Sequence, residues 1–174
     1  MIILLSLLSS AFFSGMEIAY VSSNRLNLEI EKKQKGLIPK LLSIITKDPS
    51  RFISTMLIGN SFALVIYGLF MGQFIVDNLS FLFLPSMNEL TILLLQTIIS
   101  TSLILIAAEF IPKVLFQIYS NLSMKIFSIP AFIFYIILYP ITSLVTITSD
   151  FILKTFFKVT NQESEFSFSK VELE

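Results

Sequence analysis

The sequence predicts an all-α membrane protein: three transmembrane helices, a cytoplasmic helical hairpin and a kinked juxtamembrane helix. Three observations carry that expectation. Of the 174 residues, 55% are hydrophobic and only 14% are charged. The apolar residues gather in uncharged runs long enough to cross the roughly 20-residue hydrocarbon core of a bilayer. The basic residues, in contrast, crowd into one connection. The roughly 10-residue alternating segments of a transmembrane barrel are absent.

The first run is Met1 to Tyr20, broken only by Glu17, and predicts a span over about 1–21. It has no basic region before it and no A-x-A site after it, so a cleaved signal peptide is not expected. The second run, Phe52 to Val76, predicts a span over 52–76, and the third, from Leu90, predicts one over 90–110. Between the first two lie Arg25, Lys32, Lys33, Lys35, Lys40, Lys47 and Arg51, seven of the twelve basic residues. Between the second and third there are none. The positive-inside rule therefore places the first connection in the cytoplasm and the N-terminus outside. The C-terminus is then cytoplasmic.

Within that connection, residues 24–50 are amphipathic. Leu37, Ile38, Leu41, Leu42, Ile44 and Ile45 fall on helical spacing, and Gly36 and Pro39 punctuate the stretch as a two-helix hairpin. Its lysines suit an anionic lipid surface. A fourth uncharged run, Ile126 to Ser149, carries Pro130 and Pro140 and is flanked by lysines on both sides. It reads as a kinked helix over about 123–157 that does not cross; a fourth true span is the alternative. Residues 159–174 are polar and acidic and read as a linker.

With no histidine or cysteine, the chain has no imidazole or thiolate chemistry. Its equal numbers of basic and acidic residues leave no bulk field for nucleic acid. Oxygen ligands remain. Ser10, Ser14 and Glu17 share one face of the first span. Gly59-Asn60-Ser61 interrupts the second, and Thr97, Thr101 and Ser102 precede Glu109 in the third. Hydroxyls in membrane helices are commonly packing groups, Gly59 suits close packing, and Asn60 suits interhelical bonding as well as ligation. Glu109 is costlier, at about 2.5–3.5 kcal/mol even on the lenient insertion scale, although at the inner end of its span it can also reach the interface. Pro112 cannot donate to the carbonyl of Ala108, which frees a backbone oxygen beside that carboxylate. A carboxylate, a free carbonyl, two hydroxyls and an amide oxygen suit a hard cation such as Mg²⁺, Ca²⁺ or Na⁺. No nucleophile motif or phosphate-cradling glycine loop accompanies them, so an enzyme is not expected.

Three stretches resemble one family. SAFFSGMEIAYVSSNRLNLE (Ser10 to Glu29) is similar to the opening signature of the DUF21 transmembrane domain of the CNNM/CorC magnesium transporters. STMLIGNSFALVIYG (Ser54 to Gly68) is similar to its second helix, and AEFIPK (Ala108 to Lys113) to its Gly-Glu-Ile-Ile-Pro-Lys element. The resemblance covers Met1 to about Lys158. It implies a homodimer, three spans per subunit and a belt-like juxtamembrane helix after the third. It also implies export of Mg²⁺ driven by inward Na⁺, with Mg²⁺ held by Ser10, Ser14, Asn60 and Glu109 and by backbone carbonyl near Ala108 or Gly59. The alternative is a membrane anchor that senses Mg²⁺ without carrying it. Ala108 departs from the family's usual glycine. In the family, ATP acts through paired cytoplasmic CBS domains, which this sequence stops short of; SKVELE resembles the start of the linker toward them.

Overall fold

A computed structural model describes residues 1–78 and 88–157. The expected linker, residues 159–174, lies outside the described residues. Helices follow one another as α1 (Ile2–Ser22), α2 (Arg25–Lys32), α3 (Leu37–Ile45), α4 (Pro49–Asn78) and α5 (Glu89–Leu103), then a π-helical segment (Ile104–Phe110). After it come α6 (Ile111–Ile118), α7 (Ser120–Ile126), α8 (Ser128–Ile137) and α9 (Tyr139–Phe157). No strand occurs among the described residues. Three stretches are long and apolar enough to cross a membrane: Ile2–Ser22, Pro49–Asn78 and the continuous Glu89–Ile118. The α7–α8 pair passes the same test only if taken as one span, and it is bent by 65°.

Prolines set these boundaries. Pro49 opens α4, Pro112 and Pro140 are second in α6 and α9, and Pro39 and Pro130 are third in α3 and α8. Each therefore sits in a first turn, where its fixed φ suits the helix; Pro112, however, follows the π segment without a break, so there the missing N–H leaves a carbonyl one turn back without its helical donor. The fourth apolar run is accordingly divided at Phe127, where α7 and α8 bend by 65°, and at Leu138, shortly before Pro130 and Pro140.

The first helix is the hub, packing on α4, α6, the π segment and α7. Its buried face is built of small groups, Ser6, Ser10, Ser14, Gly15 and Ala19, with Phe13 and Met16 between them. Small residues let helix backbones approach in lipid, where no hydrophobic drive pushes helices together. A Cβ at Gly15 would lie 2.7 Å from the Phe116 ring, and one at Gly59 would run into the Phe13 ring. Around that contact Phe13 meets Phe12 and Phe134 at ring-centroid distances of 5.3 and 4.8 Å, and Phe116 stacks on Phe127 at 5.2 Å. This aromatic group fixes the depth at which α1, α4, α6 and α8 meet.

Between α1 and α4 the hairpin docks beneath the bundle. Asn24 caps α2, its Oδ1 accepting from the backbone N–H groups of Leu26 and Asn27 at 2.9 and 3.3 Å. Gly36 carries φ of 148°, a conformation side chains other than glycine rarely adopt, and turns the chain into α3. Leu42 and Ile45 of α3 are fully buried, with α8 as the neighbouring helix. On the other side Lys125 of α7 pairs with Glu31 of α2 at 2.6 Å, and the Asn24 N–H donates to Asn121 Oδ1 at 3.1 Å.

Candidate cation site

The polar face of α1 meets two partners at membrane depth. Ser10, fully buried, donates its hydroxyl to Asn60 Oδ1 on α4 at 2.6 Å. One turn on, Ser14, also fully buried, donates to the backbone carbonyl of Ala108 in the π segment at 2.8 Å. Two interhelical bonds thus tie three spans together through neutral oxygens.

The Ala108 carbonyl is available because a proline lies four residues downstream. Pro112 has no N–H to return to Ala108, and the chain around it adopts the wider π turn, with the Ile111 N–H bonded to the Ile106 carbonyl five residues back. A π turn relieves the clash between a proline ring and the preceding carbonyls, at the cost of carbonyls without regular partners. Ser14 takes up one of them. At the α-to-π junction the Ile104 N–H reaches both the Ser100 and Thr101 carbonyls. The Ser100 carbonyl also accepts from the fully buried Tyr67 hydroxyl at 3.2 Å. The sequence expectation of a break at Pro112 is thus met by a change of helical register upstream of it.

Glu109 stands next to the bonded carbonyl, but its carboxylate is turned toward Lys113, 3.8 Å away, and the side chain is 28% exposed. Nothing in its hydrogen bonding joins it to Ser10, Ser14 or Asn60. Gly59 lies beside Asn60 and serves the contact with Phe13, which is the packing role glycine most often has in a membrane helix. The other candidates stay apart. Thr97 bonds back to the Leu93 carbonyl at 2.7 Å and Ser61 to that of Leu57 at 2.9 Å, both locally on exposed faces. Thr101 and Ser102 are exposed. The Glu17 carboxylate has no hydrogen-bond or ion-pair partner among the described residues.

Among the described residues no three carboxylate, imidazole or thiolate side chains come close enough together to hold a metal ion. A cation held here would rest on hydroxyl, amide and carbonyl oxygens, with at most the neighbouring Glu109 for charge. The donor set fits a hard cation, because each hydroxyl can turn its proton away and offer a lone pair. Tyr67 and the π segment escaped the sequence reading. A tyrosine inside an uncharged span was the available signal, since a buried phenol needs an acceptor.

No curated protein matches the chain. The family model described as the cyclin M transmembrane N-terminal domain matches residues 1–174. With three apolar spans and a polar contact shared among them, the chain belongs to the cyclin M transmembrane-domain family.

Proposed function

We propose that this domain exports Mg²⁺ across the cell membrane in exchange for inward Na⁺, through one intramembrane site made of Ser10, Ser14, Asn60, Glu109 and the Ala108 carbonyl. The observation that carries the proposal is the paired bonding of Ser10 to Asn60 and Ser14 to Ala108. These bring four oxygens from three spans onto one face of the first helix, a turn apart. Mg²⁺ entering from the cytoplasm exchanges part of its water for these oxygens, while Glu109 swings from Lys113 to supply charge. One carboxylate gives modest affinity, which suits an ion that must also leave. Na⁺ competes for the same kind of oxygen cluster.

Membership of the family supports the Mg²⁺ assignment. The density of basic residues between the first two spans supports a cytoplasmic hairpin and an outside N-terminus. The 65° bend between α7 and α8 suits helices wrapped along the inner leaflet as a belt. The third span has none of its most apolar stretch buried within the single chain, which suits a homodimer or direct lipid contact.

Mg²⁺ flux in proteoliposomes with an imposed Na⁺ gradient tests the exchanger. Wild type is expected to show gradient-dependent Mg²⁺ movement that Glu109→Ala abolishes. Equal, Na⁺-independent flux in both proteins overturns it, and Mg²⁺ binding without flux assigns the domain to sensing instead.

A further inference from the structure

A cavity lies at the hairpin end of the bundle, away from the candidate cation site. It has a volume of about 470 Å³ and lies among the end of α1, one face of α2 and the start of α4. Its charged wall is Arg25, Glu29 and Lys32, and its apolar wall includes Val21, Leu28 and Ile53. At 100° per residue, Arg25, Leu28, Glu29 and Lys32 fall within about a third of the helical circumference, so α2 turns this set to one side. The neighbouring side of α2 is engaged, through Glu31, with Lys125 of α7. The helix is therefore held with its Arg25–Lys32 face directed at the cavity.

We propose that this cavity is a stoichiometric site for the headgroup phosphate of an anionic phospholipid of the adjoining leaflet. Two cations face one carboxylate there, and the Lys32 ammonium, which gives one bond to Glu29 at 2.6 Å, has further donors for a phosphate oxygen. Val21, 62% exposed at the end of the first span, and Ile53, in the opening turns of the second, flank the same opening. A free phosphate would leave that apolar wall against water, whereas the glycerol and upper acyl carbons of a lipid cover it. The site lies at a span end, within a connection of seven basic and three acidic residues, the depth at which basic pockets meet lipid headgroups. This assignment is independent of what ion the bundle carries.

Native mass spectrometry of the full chain in detergent, titrated with dioctanoyl phosphatidic acid, tests it. Wild type is expected to retain one such lipid per chain and no dioctanoyl phosphatidylcholine. Arg25→Gln with Lys32→Gln should weaken retention by roughly tenfold or more, since each basic residue contributes of order 1 kcal/mol near an anionic surface. Lys33→Gln with Lys35→Gln removes the same charge outside the cavity and should leave retention close to wild type. Ile53→Trp keeps both cations and fills the apolar wall, and it too should weaken retention, which separates lipid loss from misfolding of the charge variant. Equal weakening by the two double variants overturns the site in favour of diffuse attraction. Equal retention of phosphatidylcholine overturns it as well. Displacement of the lipid by equimolar inorganic phosphate would make it a free-anion site and overturn the lipid assignment.

Discussion

The Ser14 hydroxyl bonds the Ala108 carbonyl at 2.8 Å, joining the first span to the π segment of the third. Both residues are fully buried. The bond stands in for the backbone N–H that Pro112 lacks. Ser14→Ala leaves that carbonyl unpaired in an apolar setting, and an unsatisfied buried group costs about 1–3 kcal/mol. Thermal unfolding in detergent should show a clear loss of stability. Ser14→Ala should also weaken Mg²⁺ binding by calorimetry, because one site oxygen is gone. An unchanged melting temperature would mean that the carbonyl finds another donor.

Pro112→Ala probes the other half of the same relationship. The new N–H can bond Ala108 in ordinary α register and so competes with Ser14 for one carbonyl. The stability cost of Ser14→Ala should therefore shrink in the Pro112→Ala background, by about 1 kcal/mol if the new bond is of ordinary strength. Mg²⁺ binding should fall nonetheless, since the carbonyl is no longer turned toward α1. A double-mutant cycle by thermal unfolding checks the coupling, and additive costs would count against it.

The contact of Gly59 with Phe13 sets a sharper steric demand. A Cβ there meets a ring already held by Phe12 and Phe134, so it cannot step aside without moving a whole aromatic group. Gly59→Ala should destabilise by about 1–3 kcal/mol as an overpacked site does. Gly68 is on the same helix with nothing within 4 Å of an added Cβ. Gly68→Ala should be neutral or stabilising by up to about 1 kcal/mol from helix propensity. Melting temperatures of the two variants separate packing from propensity.

The chemistry of the site was more legible in the sequence than its geometry. Ser10 and Ser14 share a helix face by spacing alone, and Pro112 identifies the Ala108 carbonyl because proline chemistry is local. The partners were not readable in the same way. Asn60 could have bonded any neighbour, and only the packing of α1 on α4 selects Ser10. The π segment and the end of α5 before it take donors from other spans, Ser14 and Tyr67, which no local pattern encodes. Thr97 shows the opposite failure. It stands among the polar residues ahead of Glu109 in the third span, yet its hydroxyl bonds its own helix at Leu93, an acceptor always within reach. Pro130 and Pro140 announced interruptions, but a proline near the start of a helix puts the boundary shortly upstream, at Phe127 and Leu138.

The Glu31–Lys125 pair is the remaining link with a measurable consequence. At 2.6 Å it connects α2 to α7, and with the Asn24–Asn121 bond it fixes the hairpin to the helices after the third span. Its side chains are 22% and 46% exposed, so the pair is screened and contributes only about 0–1 kcal/mol to global stability. Its local effect is larger in proportion, because little else ties the polar face of α2 down. Lys125→Glu replaces attraction with repulsion and should loosen α2 without unfolding the bundle. Limited proteolysis should then cut sooner after Lys32, Lys33 or Lys35, while the melting temperature changes little. Glu31→Lys combined with Lys125→Glu restores opposite charges in reversed order and should return the wild-type cleavage rate. Failure of that rescue would show that the hairpin is held by the Asn24–Asn121 bond and by Leu42 and Ile45, on the apolar side of α3, rather than by the ion pair.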